Sequence, residues 1–353
     1  MPKFAVFSGF LGSGKTSAMA ALTQYCAARG TKAAMLSNDL GEGVLLADHR
    51  FAQLSGAVSG QITGECICFC RDLLCERLRS FYDEGNELVL CDIPGFGVGA
   101  LEHVYHGLRA DGADFFSLAP FTVLVEPRTS ARVRGAVRGP LDAILRAQLM
   151  EADLIVLSKC DLLTPAEIVE NTRFLASEFP EAQVLAVSAR TGEGLDKLAE
   201  KLLRCAATLR HPKIDYDAAP LQRAMSSLSE FYLQYHALVC CNDFDGTAYL
   251  TEIAESVKEK IRAAHFEIPH LKLLAWAPEG DFGKVDLLGT DRPVEITHPF
   301  SRPCTELAVV LNASAACPPE LLDAIVTGSA EEVSARGGIE LTVFRKDCFG
   351  MGE

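Results

Sequence analysis

The chain is short of positive charge: 33 lysines and arginines stand against 47 aspartates and glutamates, a formal net charge of −14 at pH 7. A protein so anionic repels phosphate backbones and anionic lipid, which disfavours nucleic acid and membrane surfaces as general partners. Long hydrophobic runs are also missing, and no stretch approaches the roughly 18 apolar residues of a membrane span. Met-Pro-Lys-Phe leads directly into an apolar strand with no charged leader or small-residue cleavage site, so the expected location is cytoplasmic. A reducing compartment disfavours disulfides, and 13 cysteines spread through 353 residues are an odd number that does not resemble a secreted scaffold. What the chain does have is apolar mass: 49% of its residues are hydrophobic, enough to bury a sizeable core in two domains.

Residues 3 to 8 are a short run of β-formers, followed at once by Gly9-Phe10-Leu11-Gly12-Ser13-Gly14-Lys15-Thr16. This is a complete G-x-x-x-x-G-K-[ST] phosphate loop in its required strand–loop–helix setting, and Ser17 follows it. Gly9, Gly12, Ser13 and Gly14 allow a tight wrap whose N–H groups point at a polyphosphate, and the following helix aims its positive end at the same place. Lys15 would reach the β- and γ-phosphates, and the Thr16 hydroxyl would ligate Mg²⁺. Strands are expected near 3–8, 33–38, 87–92, 120–126, 153–158 and 183–188. Helices are expected between them, near 15–29, 70–84, 100–110, 138–150, 165–178 and 194–207. That alternation implies a mostly parallel sheet with crossover helices, an α/β fold whose ligands sit at the carboxyl ends of its strands.

Three other strand ends carry chemistry. Asp92 ends an apolar strand and Gly95 follows it; the carboxylate suits a Mg²⁺-bound water and the Gly95 N–H suits a γ-phosphate. Ser158-Lys159-Cys160-Asp161 ends another with a K-x-D unit. Asp161 can accept from guanine N1–H and N2–H, a pairing adenine cannot offer, while the Lys159 stem lies along the base. Ser188-Ala189 ends the sixth, where a backbone N–H would meet guanine O6.

In this order the motifs resemble those of the metallochaperone GTPases, the CobW, HypB and UreG relatives. GFLGSGKT (9–16) and Gln148-Leu149-Met150-Glu151-Ala152-Asp153 resemble the CobW-like branch, while Asn38-Asp39 and SARTGEGL (188–195) are similar to the nickel-insertion branches. The resemblance spans roughly residues 3 to 207. It implies a Mg²⁺-dependent GTP hydrolase that couples GTP or GDP state to delivery of a metal, or a metal-containing cofactor such as a corrinoid, to a client metalloenzyme. It further implies a Mg²⁺-proximal or water-positioning role for Asp39, a switch role for Asp48, and a homodimer paired across the nucleotide face. Two positions depart from the family pattern. Ser158 stands where Asn is usual and cannot make the same pair of hydrogen bonds, which leaves Asp161 as the discriminating residue. Phe69 is inserted into the usual C-x-C-C, giving Cys66-Ile67-Cys68-Phe69-Cys70.

In an extended segment Cys66, Cys68 and Cys70 would share one face, neighbouring Cα atoms about 6.6 Å apart. Three thiolates would then converge on one ion after a modest bend, with Cys75 completing the shell if the chain folds back. The bland alternative is that they fill core, as the scattered remaining cysteines do. With no histidine nearby, the set is a soft one, suited to Zn²⁺, Co²⁺, Ni²⁺, Cu(I) or an iron–sulfur cluster. An iron–sulfur or reactive-thiol site would make the protein a nucleotide-driven redox activator instead; a binding module without significant turnover is the third reading. The preceding segment 39–63, with Gly41, Gly43, Gly56 and Gly60, has the place of a switch region.

The domains expected are 1–210 for the nucleotide, 211–230 as linker, and 231–353 as a smaller α+β client-recognition domain of ferredoxin-like type. Its strands are expected at 231–241, 270–277, 284–289, 294–298, 305–313 and 339–344, and its helices at 247–264 and 318–335. His265, His270 and His298 lack metal-ligand spacing and are expected at the surface or in loops. Cys240-Cys241 alternate faces and are expected in the core.

Overall fold

A computed structural model of the protein describes every residue except 42–44, 55, 111–113, 136–139, 210, 212–213, 240–242 and 352–353. Cys240, Cys241 and Gly43 therefore lie outside the described residues. The chain forms two compact units: Met1–Leu40 with Ser55–Ala224, and Gly41–Leu54 with Met225–Glu353.

The first unit begins with β1 (Lys3–Ser8), α1 (Lys15–Ala27) and β2 (Ala33–Asp39). The chain then contributes α2 (Ala47–Leu54) to the second unit and returns as β3 (Val58–Thr63), α3 (Arg71–Asp83) and β4 (Leu88–Asp92). A wide π-type turn at Leu101–His106 replaces the first part of the expected regular helix and runs into α4 (Gly107–Ala110). Then come β5 (Ser117–Leu118), β6 (Thr122–Val125), α5 (Pro127–Arg134), α6 (Pro140–Met150), β7 (Leu154–Leu157), α7 (Pro165–Glu178), β8 (Gln183–Ala186), α8 (Leu195–Arg204) and α9 (Ala219–Ser226). The sheet runs β3-β2-β4-β1-β6-β7-β8 with β5 beside β1, and these pairings are all parallel. β1 shows why: Phe4, Ala5, Val6 and Phe7 are fully buried, the two-sided apolar run that a helix-covered parallel sheet demands.

The second unit continues with β9 (Ser229–Leu238), α10 (Gly246–Ala263), β10 (His270–Trp276), β11 (Phe282–Leu287), β12 (Glu295–His298), β13 (Glu306–Ala315), α11 (Pro319–Arg336) and β14 (Glu340–Gly350). Its sheet is antiparallel, in the order β12-β11-β10-β13-β9-β14. The β10-β13-β9-β14 part, with α10 and α11 as crossovers, has the ferredoxin-like pattern expected, extended at one edge by the β11–β12 hairpin. Strand alternation divides its core. Leu271, Leu273 and Ala275 pack with Val309 and Leu311 among residues of α10 and α11. The intervening Leu274 and Val310 pack against Ala47, Phe51 and Leu54 of α2.

This packing corrects the reading of 39–63 as one switch segment. Residues 41–54 group with the second unit, where Asp48 forms a 2.5 Å ion pair with Lys272 and the Ala47 N–H donates to Asn312 Oδ1 at 3.3 Å. Asp48 is thus a residue of the antiparallel sheet's covering helix. Gly60 lies within β3, and the described part of the expected linker contains α9. His270 is also corrected: it is buried on β10, while His265 follows α10 in a turn and His298 stacks on Phe282 with ring centroids 4.0 Å apart.

Candidate functional site

The site is built at the carboxyl ends of the first unit's strands. Gly9, Gly12 and Gly14 all have positive φ, of 131°, 76° and 88°. Gly9 is doubly constrained, since a Cβ there would stand 2.3 Å from the Leu124 carbonyl oxygen. Lys15 Nζ donates to the Gly9 carbonyl at 2.6 Å, which holds the ammonium over the loop. Ser13 and Thr16 are buried, and Ser13 Oγ has no partner among the described residues, as suits a loop shaped for an oxyanion ligand. Ser17 occupies the first turn of α1.

Register places the second element beside this loop. Asp92 pairs with Phe7, just before the loop begins, and its buried carboxylate accepts the Asn38 N–H on Oδ1 at 3.2 Å. Gly95 packs directly on the loop: a Cβ there would stand 2.3 Å from Leu11 Cδ2. The turn after Asp92 is fixed by residues of the 148–153 stretch, whose hold on it was not legible from the motif alone. Gln148 Nε2 donates to the carbonyls of Gly95 and Gly97, each at 3.0 Å, and Glu151 Oε2 accepts the Gly99 N–H at 3.0 Å. Gln148 lies in the last turn of α6 and Glu151 just past its end.

At the K-x-D end, expected to read the base, Ser158 has a structural task. Its hydroxyl donates to the Ser13 carbonyl at 2.6 Å, tying the K-x-D turn to the phosphate loop. Lys159 is left-handed at φ 53°, and its Cε lies 3.9 Å from where a Cβ on Gly14 would be. Asp161 Oδ1 accepts from Ser188 Oγ at 2.7 Å and Oδ2 accepts from the Arg190 guanidinium. Burial would raise its pKa, but these two donors outweigh burial and keep it below the usual aspartate value. The Ser188 N–H, expected to be open to a base, already donates to Glu193 O at 2.9 Å, and the Ser188 hydroxyl is the group on Asp161.

The cysteine segment is not extended. Phe69 N–H donates to Cys66 O at 2.8 Å, which closes a turn, and Cys70 caps α3. The turn brings thiols together by a route that face alternation does not describe. The Cys68 N–H donates to Cys66 Sγ at 3.4 Å, and the Cys70 thiol donates to Cys66 O at 3.4 Å. Cys66 and Cys68 also share a side-chain hydrogen bond, which lowers the Cys66 pKa against the effects of burial and of the Asp39 and Glu65 charges. That bond, together with burial, raises Cys68. Burial, with the Glu65 and Cys66 charges, pushes Cys70 up to about 11. Of the three thiols in this turn, Cys66 is the one whose pKa is moved down rather than up. Asp39, opposite Thr63 in the β2–β3 ladder, acts on the cysteine turn through its charge, and Cys75 stands half-buried on α3. Among the described residues no three His, Cys, Asp or Glu side chains meet closely enough to hold a metal ion, so the four-sulfur shell is not preformed.

Asn38 and Glu151 both bear on this turn. The Asn38 amide donates to Glu65 O at 2.8 Å and to Ile62 O at 3.2 Å, while Oδ1 accepts the Ile67 N–H at 3.0 Å. Glu151 is pushed up to about 7 by burial, against the opposing Gly99 N–H and the Tyr216 hydroxyl, and its charge helps to raise Cys68. Further from the site, buried Asp153 accepts from His211 Nε2 at 2.8 Å and from the Phe121 N–H at 2.9 Å, fastening the chain after α8 to the sheet.

A phosphate loop following β1, an aspartate closing β4 and a K-x-D turn after β7 define a P-loop nucleotide-binding unit. The family model described as CobW/HypB/UreG, nucleotide-binding domain, matches residues 3–185, and the chain belongs to that family. Among curated proteins nothing matches. Among solved structures, HypB from Helicobacter pylori in complex with nickel is 20% identical over 57% of this chain and 85% of its own, with a TM-score of 0.40. Zn(II)-bound YjiA GTPase from E. coli is 15% identical over 93% of this chain and 98% of its own, with a TM-score of 0.38. PAB0955, a GTPase from Pyrococcus abyssi in apo form, is 20% identical over 57% of this chain and 98% of its own, with a TM-score of 0.33. No described helix is long and apolar enough to cross a membrane.

Proposed function

We propose that the protein hydrolyses GTP and uses its nucleotide state to control a thiophilic metal bound at the Cys66–Cys70 turn, for delivery to a client metalloenzyme or corrinoid protein. The observation that carries this reading is the turn that gathers Cys66, Cys68 and Cys70 through hydrogen bonds to Cys66, held in the same unit as a complete phosphate loop. What supports the nucleotide reading is the left-handed glycines, the Ser13 hydroxyl and the Lys15 ammonium, which would face a polyphosphate, with Asp161 as the acceptor that would read guanine. Thr16 and Asp92 would hold Mg²⁺, which supplies charge neutralisation to the β- and γ-phosphates. Lys15 adds its charge to the same oxygens, the Gly95 main chain meets the γ-phosphate, and Ser158 keeps the base and phosphate ends in register.

The metal is cargo. Cys66, Cys68, Cys70 and Cys75 would be the sulfur donors, drawn together when an ion displaces their thiol protons. Zn²⁺, Co²⁺ and Ni²⁺ suit such a set. The second unit would recognise the client, and a second copy pairing across the nucleotide face would shield the loaded turn. GTP turnover and metal content, measured on one anaerobic preparation, test the reading. The expected outcome is Mg²⁺-dependent GTP hydrolysis by a colourless protein carrying zinc, cobalt or nickel. A brown protein with charge-transfer absorption would support the iron–sulfur redox alternative, and absence of turnover would reduce the protein to a nucleotide-binding module.

A further inference from the structure

We propose that Asn38 is the positioning residue that joins the Asp92 side of the nucleotide site to the cysteine turn; this rests on the reading above and assigns its coupling to one side chain. Asn38 is 3% exposed and sits one residue before the end of β2. The β2–β4 ladder closes at Leu36 with Cys91, so the Asn38 N–H lies beyond it and turns to a side chain, Asp92 Oδ1, at 3.2 Å. On the other side β2 still pairs with β3, Asn38 standing opposite Ile62. There the Asn38 amide takes Glu65 O at 2.8 Å and the Ile67 N–H at 3.0 Å, the residues immediately before and after Cys66.

One residue thus holds the carboxylate proposed for Mg²⁺ and both main-chain neighbours of Cys66. The chemistry restricts which side chain can do this. Spanning Glu65 O and Ile67 N requires a donor and an acceptor on one short planar group. Aspartate keeps the acceptor and loses the donor; serine has a donor and an acceptor but lacks the reach to bracket the turn. A shift of Asp92 Oδ1 toward Mg²⁺ must lengthen or release its bond to the Asn38 N–H. The strand end then moves with the amide, and Glu65 and Ile67 move with it, changing how far Cys66 stands from Cys68 and Cys70. Because such coupling is reciprocal, a metal drawn onto Cys66 feeds back on Asp92 by the same factor.

The test is Zn²⁺ affinity, by competition with a chromophoric chelator, in protein loaded with GDP or with a non-hydrolysable GTP analogue and Mg²⁺. The unaltered protein should show a ratio between the two states in the range of roughly 5- to 150-fold. In Asn38→Asp and Asn38→Ser the ratio should collapse to within about twofold while each variant still binds nucleotide and zinc. A residue that only stabilised the fold would lower both affinities and leave the ratio, and an unchanged ratio in the folded variants overturns the assignment. A ratio of one in the unaltered protein would instead overturn the coupling reading itself, and the role of Asn38 with it. If neither variant folds, the unaltered protein still decides. Hydrogen exchange at the Ile67 amide should differ between the two nucleotide states, and equal protection contradicts the proposal.

Discussion

The phosphate loop and the cysteine turn lie in one unit yet are specified in different ways. Residues 9–16 are fixed by backbone chemistry: glycines at positive φ, one with no room for a Cβ, and a lysine folded onto the first carbonyl. Residues 66–70 carry equally recognisable side chains, but their conformation is set from outside, by Asn38 of a neighbouring strand and by the start of α3. The first region is shaped in advance; the second gathers its thiols without a preformed shell among the described residues. A preformed site can read its ligand without changing, whereas a site held by a few distant hydrogen bonds can be altered by whatever moves their anchor.

The largest expected effect lies on the preformed side. Lys15→Ala should lower GTP turnover by about 10²–10³-fold while the protein stays folded, because Lys15 supplies charge and buries little. Unchanged turnover, measured by phosphate release, would remove the enzyme reading. Gly9→Ala should lower nucleotide affinity and cost about 1–3 kcal/mol of stability, since the added Cβ meets the Leu124 carbonyl at a φ of 131°. The corresponding substitution on the other side, Phe69→Ala, should stay within about 0.5 kcal/mol because this ring is 71% exposed. Thermal melts of the two variants would break the comparison if their order reversed.

Base selection comes next. Asp161→Ala should reduce the preference for GTP over ATP at least about tenfold, about 1.4 kcal/mol, through loss of a charge-assisted pair. Equal binding of GTP and ATP by the unaltered protein would show that Ser158 does not support guanine selection.

A smaller effect concerns pH. Burial raises the Glu151 pKa to about 7, so its stabilising balance is complete below the unfolded carboxyl value and is lost as pH rises through about 7. Unfolding by urea should therefore show stability declining between about pH 5 and 8, and Glu151→Gln should flatten that decline. A decline of equal slope in the variant would assign it to other groups.

The same contrast shows where sequence reading succeeds. The phosphate loop, Asp92 and the K-x-D turn were legible because glycine, lysine and aspartate at strand ends announce a backbone task. The ferredoxin-like second unit was legible because strand alternation and two long helices gave its order. β3 was not, being a half-exposed edge strand, Val-Ser-Gly-Gln-Ile-Thr, without an apolar run. α5 was hidden by its polar composition, Pro-Arg-Thr-Ser-Ala-Arg-Val-Arg. Asp48 was misplaced because its partner, Lys272, is 224 residues away. The cysteine turn was read as extended because local alternation carries no trace of the Asn38 bonds to Glu65 and Ile67, 27 and 29 residues away.

The most direct test of the central claim, that nucleotide state governs a metal at the cysteine turn, is metal affinity in the GDP and GTP-analogue states across a range of pH, for the unaltered protein and for Cys68→Ser. Affinities should differ between the two states, weaken as pH falls because thiols must release protons, and drop sharply in Cys68→Ser. Equal affinities in the two states would leave a metal site without nucleotide control, and undiminished binding by Cys68→Ser would contradict the site itself.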